Sequence, residues 1–175
     1  MKKWVALFSQ TGSEIKELSE RLGRTPDLIY TNNRNNDVWI HNMKHLDSQV
    51  LVFNHNDIMN RLKNYNKDST ITLHGYLRII PAEVCSECNI INGHPGLIDE
   101  YPWLKGKDPQ EKIEKWMRMI GSVCHRVTKD LDSGEILTRA FRAHRDVETF
   151  KSNYYNILRQ TSLEAWEEYF EQYET

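Results

Sequence analysis

The sequence alternates short apolar runs of strand length with segments that have the periodicity of a helix. Residues 3–8 form an apolar run rich in β-forming residues, and a turn containing Gly12 leads into a helical pattern that stops at Gly23. Pro26 lies just beyond this stop, and residues 27–31 are predicted to form a second strand. The order strand, turn, helix, strand is typical of a parallel α/β sheet. We therefore predict an α/β protein with a mostly parallel central sheet and helices on both faces.

The rest of the chain continues this alternation. Further strands are predicted at 49–53, 69–74, 89–92, 121–128 and 135–142, and further helices at 55–66, 81–88 and 109–119. Residues 32–48 and 95–107 are predicted to be loops. From Val147 to Tyr173, aromatic and aliphatic residues such as Phe150 recur at helical spacing, which indicates a long amphipathic C-terminal helix, or two. The sequence has no repeat and no interdomain linker, so residues 1–175 are predicted to form a single domain.

Charge and hydropathy narrow the function classes. The net charge is -2 and no basic block is present, which argues against an extended nucleic-acid surface. Apolar runs fall well short of the ~18 residues of a membrane span. The apolar part of the N-terminus is too short for a signal peptide, so we expect a cytoplasmic protein.

The three cysteines are Cys85, Cys88 and Cys124, and an odd number argues against a disulfide framework. Cys85 and Cys88 have the spacing of redox and zinc sites, but a second such pair is absent from the sequence. We expect reduced, structural cysteines, with a metal or redox role as the alternative.

Asn92 and His94 are the first candidates for chemistry. Side chains two apart in an extended segment point to the same side, and this segment follows a predicted strand, where open α/β sheets bind ligands. Gly93 between them allows another group to approach closely. A carboxamide can donate to a carbonyl oxyanion, a contribution of ~3 kcal/mol, and an imidazole can exchange a proton near neutral pH. The alternatives are a turn-capping asparagine and a histidine that satisfies a core hydrogen bond.

Four segments resemble the folate-dependent formyltransferase family. Residues 90–98 resemble its Asn-x-His-Pro-Ser-Leu-Leu-Pro signature, and residues 125–137 resemble its second signature, with the core Leu-Asp-x-Gly-x-Ile. Residues 75–80 are similar to the Gly-Tyr-Met-Arg-Ile-Leu segment of glycinamide ribonucleotide formyltransferases, and residues 8–13 to their phosphate loop. Asp132, by itself more typical of a turn former, lies in the second signature.

The resemblance implies a Rossmann-like formyltransferase fold and transfer of a formyl group from N10-formyltetrahydrofolate to the primary amine of a small, phosphorylated acceptor such as glycinamide ribonucleotide. No metal is expected. The catalytic residues would be Asn92, His94 and Asp132, and the charge of Asp132 would raise the pKa of His94. The resemblance assigns folate contacts to Leu77, Arg78, Ile80, Val84, Val127 and Thr128, and acceptor contacts to Thr11, Gly12, Ser13 and Pro95.

The match is weaker on the acceptor side. Glu14 stands where the purine-biosynthetic enzymes carry an asparagine beside the substrate phosphate, and Gly96 replaces the serine of the signature. A carboxylate suits a helix N-terminus but repels a phosphate there. An amino-sugar nucleotide or a modified nucleotide is therefore an alternative acceptor. Three competing functions remain open: a hydrolase that releases formate from formyltetrahydrofolate, a folate- or nucleotide-binding module without catalysis, and an unrelated α/β binding domain in which the motifs occur by chance.

Overall fold

A computed structural model describes residues 1–146 and 151–175. Seven strands form one sheet in the order β3-β2-β1-β4-β5-β6-β7. They are β1 (Lys3–Phe8), β2 (Leu28–Thr31), β3 (Gln49–Val52), β4 (Ser69–Leu73), β5 (Asn89–Pro95), β6 (Met119–Arg126) and β7 (Ile136–Ala143). The pairs among β1 to β5 are parallel, and β6 pairs with β7 antiparallel. The predicted, mostly parallel α/β sheet is confirmed.

The helices alternate with the parallel strands. They are α1 (Ser13–Leu22), α2 (Ile40–Met43), α3 (His55–Leu62), α4 (Ala82–Glu87) and α5 (Lys151–Tyr173), with 3-10 turns at Asn36–Val38, Pro102–Leu104, Pro109–Lys112 and His144–Asp146. A single long helix closes the described chain, as predicted. Val147 and Phe150, which the prediction placed in that helix, lie outside the described residues.

The helix predicted over residues 109–119 is wrong. Only a 3-10 turn forms at Pro109–Lys112, and β6 already begins at Met119. The backbone N–H groups of Arg118 and Met119 both donate to the hydroxyl of Tyr101, at 3.0 and 3.2 Å, instead of closing helical turns. Met117 is buried in a hydrophobic cluster with residues of the preceding loop such as Leu97 and Leu104, and Ile113 packs against this cluster. The predicted loop at 32–48 also contains the short helix α2.

The chain divides into two compact units, residues 1–92 with 127–129 and residues 93–126 with 130–175. In the first unit, Trp4 to Phe8 of β1 are fully buried, as a central parallel strand covered on both faces requires. Its core combines residues of β1, β4 and α3 such as Leu7, Ile71 and Ile58.

In the second unit, α5 packs on β6 and β7. Two buried hydroxyl groups link the strands to the helix backbone: Ser122 donates to the Leu158 carbonyl at 2.9 Å, and Thr138 donates to the Ala165 carbonyl at 2.7 Å. Within residues 1–146 and 151–175, no helix is both long and apolar enough to cross a membrane.

Candidate active site

His94 lies at the end of β5, in the second unit, and is almost fully buried at 6% exposure. Its Nε2 lies 2.9 Å from the carbonyl oxygen of Leu104, which can only accept, so Nε2 carries a proton. On the other side of the ring, Nδ1 is 3.6 Å from Oδ2 of Asp132. Both nitrogens of this imidazole therefore face oxygen atoms of the surrounding loops.

Asp132 lies in the turn between β6 and β7 and has a left-handed backbone with φ 50°, a conformation in which aspartate is favoured over most residues. Its Oδ2 accepts the backbone N–H of Gly106 at 2.8 Å, and its Oδ1 is 3.5 Å from Nε2 of His125. His125 comes from β6 and is itself buried. The structure therefore places one carboxylate between two histidines.

The surroundings of His94 and Asp132 shift the pKa values of both groups and leave them in different charge states. Burial lowers the pKa of His94 below its ordinary value of 6.5, and this outweighs Asp132 and the Leu104 carbonyl, which raise it. Burial works against ionisation of Asp132, but the hydrogen bond from His125, the nearby His94 and the Gly106 N–H together hold the pKa of Asp132 below its ordinary value. The charge of Asp132 does raise the pKa of His94, as expected from the sequence, but the net pKa is lowered because desolvation exceeds the effect of the carboxylate.

At neutral pH the group thus combines a neutral imidazole with an ionised carboxylate. With the proton of His94 on Nε2, its Nδ1 presents a lone pair on the side of Asp132. A proton accepted at Nδ1 creates an imidazolium between the Leu104 carbonyl and the carboxylate, which both stabilise it. The arrangement suits the uptake and return of one proton.

Asn92 lies two residues before His94 on β5 and is half-buried. The two-residue period of a strand places both side chains on the same face. In the first unit, Asn92 is in register with Leu73 of the neighbouring strand β4. The spacing expected from the sequence is therefore realised in an extended strand that continues through Pro95, which is also half-buried.

The predicted folate segment follows β4 in the first unit. Leu77 is 64% exposed and Arg78 is also exposed, whereas Ile80 and Val84 belong to the hydrophobic core. Ile79, which the sequence prediction did not select, is 68% exposed. Leu77 and Ile79 are two residues apart in one loop, so their exposed side chains offer an apolar surface on which a flat ring can pack.

Two further predicted folate contacts follow β6. Val127 packs partly against the core of the first unit, and its N–H donates to the Ile90 carbonyl at 2.9 Å. Of this pair, Thr128 is exposed and Val127 is half-buried.

The predicted phosphate loop connects β1 to α1. Gly12 has φ 70°, and a Cβ placed there would lie 2.6 Å from Cε of Met43, so both conformation and space require glycine. The N–H of Ser13 donates to Oγ1 of Thr11 at 3.3 Å, and Nδ2 of Asn42 donates to the Thr11 carbonyl at 2.8 Å. The loop thus satisfies part of its own hydrogen-bonding capacity.

Glu14, in the first turn of α1, faces His74 rather than solvent. Its Oε1 is 2.8 Å from Nδ1 of His74, whose side chain is fully buried, and Nε2 of that ring is 2.8 Å from Oγ1 of Thr72. The indole N–H of Trp4 donates to the same hydroxyl at 2.7 Å. The His74 tautomer with its proton on Nδ1 satisfies every one of these contacts and leaves Glu14 negatively charged. The sequence had given no signal for His74, because its partners come from separate elements.

Neither a metal centre nor a reactive thiol is supported. Among the residues that the structure describes, no group of three or more His, Cys, Asp or Glu side chains could hold a metal ion. The three cysteines, all within the described part, form no disulfide. Burial raises the pKa of both Cys85 and Cys88, so these thiols are protonated at neutral pH and support the structural interpretation.

Comparison with known proteins gives a consistent result. The family model of the formyl transferases matches residues 30–163. A phosphoribosylglycinamide formyltransferase from Streptococcus pneumoniae TIGR4 superposes with a TM-score of 0.82 at 18% identity, covering 100% of both chains. The corresponding enzyme from Campylobacter jejuni gives 0.79 at 20% identity over 97% of both chains. No curated protein sequence matches this chain.

A third solved structure comes from an enzyme with a different named activity. A formyltetrahydrofolate deformylase from Pseudomonas syringae pv. tomato gives a TM-score of 0.71 at 19% identity, covering 94% of this chain and 58% of that one. At these identities the solved structures establish the fold, while the family model covers more than half of the sequence. The formyl donor of this family is N10-formyltetrahydrofolate. The chain therefore belongs to the formyl transferase family and is an enzyme that transfers formyl groups.

Proposed function

We propose that this enzyme transfers a formyl group from N10-formyltetrahydrofolate to the primary amine of a small molecule, with Asn92, His94 and Asp132 as its catalytic residues. The observation that carries the proposal is the pairing of neutral, buried His94 with ionised Asp132, with Nδ1 and Oδ2 3.6 Å apart. Asn92 precedes His94 by two residues on β5. Formyl transfer between nitrogen atoms needs one oxyanion donor and one proton carrier, and these three side chains supply both.

In the proposed reaction, the amine nitrogen attacks the formyl carbon and the carbonyl oxygen gains negative charge. The Asn92 carboxamide donates a hydrogen bond to that oxygen. The proton that the amine loses passes to Nδ1 of His94, and Asp132 stabilises the imidazolium. His94 returns the same proton to the folate nitrogen when its bond to the formyl carbon breaks. The products are a formamide and tetrahydrofolate, with no net change in protons.

The donor fits the segment after β4. Leu77 and Ile79 offer exposed apolar surface to the flat faces of a pteridine, and Arg78 adds a cation beside them. Because Ile80 and Val84 are core residues, we propose that they act only through the backbone or by supporting the segment. In this proposal Thr128 contributes through its exposed side chain, whereas Val127, whose N–H already donates to the Ile90 carbonyl, only supports the segment.

For the acceptor, we propose a small amine of the glycinamide ribonucleotide kind, with Thr11, Gly12, Ser13 and Pro95 as its contacts. An amino-sugar nucleotide or a modified nucleotide is the alternative. The charged Glu14 carboxylate, held by His74, opposes a phosphate at the start of α1, where a neutral side chain would allow one. Whether a phosphorylated acceptor places its phosphate at the start of α1 thus depends on the charge of Glu14.

The test is consumption of formyltetrahydrofolate, followed by absorbance, with and without a panel of amines headed by glycinamide ribonucleotide. Turnover that requires one amine supports the transferase and identifies the acceptor. Turnover without any amine would instead support the hydrolase, the second candidate, which the similarity to the deformylase structure favours. Donor binding without turnover on any amine would support a binding module.

Glu14→Asn tests the acceptor side separately. Removing the carboxylate is expected to lower KM for a phosphorylated acceptor on the order of tenfold, which is the scale of one charge interaction near a protein surface. Glu17→Gln, one turn further along the same helix, is the matched control for loss of charge. An unchanged KM with Glu14→Asn would show that the acceptor phosphate does not approach this loop.

A further inference from the structure

Gly93 is covered by an indole ring from α5. A Cβ built on Gly93 would approach three ring atoms of Trp166, with Cε2 at 2.8 Å and Cζ2 at 3.0 Å. Gly93 is not among the glycines with positive φ, so its backbone is one that any residue can adopt. Glycine is therefore required here for space, and the space is filled by Trp166.

The indole itself is held firmly within the second unit. Trp166 is fully buried, and it contacts Tyr169 edge-to-face at 5.9 Å and Phe170 at 6.3 Å between ring centroids. The preceding residue, Ala165, accepts the hydroxyl of Thr138 through its carbonyl at 2.7 Å. A ring surrounded in this way cannot yield to a side chain at Gly93, because buried side chains are closely packed.

The contact lies directly behind His94. Successive residues of a strand point to opposite faces, so the face of Gly93 that meets the indole is opposite to the face that carries the imidazole of His94. In front, that ring is held by the Leu104 carbonyl and faces Asp132. The strand at His94 is thus fixed from both sides, by loop atoms on one face and by Trp166 on the other.

We propose that Trp166 is a positioning residue for His94: by packing on Gly93 it fixes the backbone of β5 at the distance from Leu104 and Asp132 that the catalytic imidazole requires. The role of His94 in catalysis rests on the proposed function. The placement of His94 by Trp166 does not, and it can be measured without turnover.

The first experiment follows the pH titration of the His94 imidazole by NMR, with the signal assigned through His94→Gln. Trp166→Leu is expected to move the midpoint up toward 6.5, because a displaced strand exposes the ring and relieves the burial that lowers its pKa. Phe170→Leu removes a buried aromatic ring from the same cluster, without the Gly93 contact, and is expected to leave the midpoint unchanged. Equal shifts in the two variants, or no shift with Trp166→Leu, would overturn the proposal.

The second experiment combines both sides of the contact. Gly93→Ala alone is expected to displace the strand, whereas Gly93→Ala with Trp166→Leu returns a methyl group to the space that the smaller side chain leaves. The double variant should restore the His94 midpoint better than either single change. If Trp166→Leu alone does not fold, the proposal is tested by comparing the His94 midpoint of the double variant with that of Gly93→Ala. A double variant no closer to wild type than the worse single variant would contradict direct packing as the cause.

The third experiment measures rates with the acceptor found by the amine panel. Trp166→Leu is expected to lower kcat on the order of tenfold to a hundredfold, as displacement of a catalytic group does, with little change in KM. Recovery of kcat in the double variant would support a positioning role for Trp166. If instead Trp166→Leu and Phe170→Leu both lose kcat only in proportion to their loss of Tm, the proposal is contradicted. If no amine supports turnover, the proposed function fails, while the titration still decides the role of Trp166.

Discussion

At the scale of residues, the central feature is a difference in charge state between two neighbouring buried groups. Burial keeps His94 neutral, while Asp132 keeps its charge through hydrogen bonds from His125 and the Gly106 N–H. A base and a charge that stabilises its protonated form are therefore both present before substrate binds. Pairs of groups whose surroundings push their pKa values apart are typical of sites that move protons.

Asp132→Asn is expected to lower turnover by ~10²–10⁴-fold, the range for loss of an acid–base group, because the imidazolium of His94 loses its counter-charge. Asp130→Asn, which removes a carboxylate from the same turn two residues earlier, is the matched control and should retain most activity. Steady-state kinetics with the identified amine provide the measurement. A rate near wild type in Asp132→Asn would remove this residue from the mechanism.

The lowered pKa of His94 predicts two pH effects. Because the folded state disfavours the charged ring, His94 contributes stability that is present above pH 6.5 and is lost as the pH falls toward its lower folded value. The acidic limb of kcat/KM should likewise lie below pH 6.5. Asp132→Asn should lower the His94 midpoint further, since the carboxylate raises it. NMR titration of wild type and Asp132→Asn measures the His94 midpoint in each. A higher midpoint in Asp132→Asn would contradict the prediction.

At the scale of elements, the start of α1 depends on a glycine for two separate reasons. Gly12 has a left-handed backbone, as Gly23 has at the other end of the same helix. Of the two, only at Gly12 would an added Cβ meet other side chains, with Met43 at 2.6 Å and Phe8 at 3.5 Å. The methionine comes from α2, within a segment predicted to be a loop. The conformation of the β1–α1 turn therefore depends on packing against α2, a helix that was not predicted from the sequence.

Comparison of Gly12→Ala with Gly23→Ala separates these two reasons. Both changes force alanine into a left-handed backbone at a cost of about 1–2 kcal/mol. Gly12→Ala should lower the free energy of unfolding by more, because of the contact with Met43 at 2.6 Å, whereas Gly23 has nothing within 4 Å. Met43→Ala in the Gly12→Ala background should remove the excess. Equal losses in chemical denaturation would show that the contact relaxes without cost.

At the scale of the whole molecule, each of the two compact units contains some of the residues to which we assign donor binding or catalysis. The candidate folate segment, with Leu77 and Ile79, belongs to the first unit, and the group of His94, His125 and Asp132 belongs to the second. The single domain expected from the sequence stays a prediction. Donor binding and proton transfer can therefore be tested independently of each other.

A non-reactive analogue of the donor should raise Tm, because a ligand that binds only the folded state at 100 times its Kd contributes about 2.7 kcal/mol. Leu77→Asp places a charge on exposed apolar surface and should abolish the shift with little change in Tm of the free protein. Asp132→Asn is the control that should keep the shift while losing turnover. Full stabilisation of Leu77→Asp by the analogue would exclude this segment from the donor site.

The sequence alone predicted most of the strands and helices, since these depend on local periodicity. Short motifs singled out Asn92, His94 and Asp132, whose catalytic role stays a prediction. Tertiary structure decided what depends on residues far apart in the chain. The neutral state of His94 follows from its burial, the orientation of Glu14 from His74, and the need for Gly93 from Trp166. The helix predicted at 109–119 was wrong for the same reason, because the hydroxyl of Tyr101 accepts the N–H groups of Arg118 and Met119 that a helix would have used.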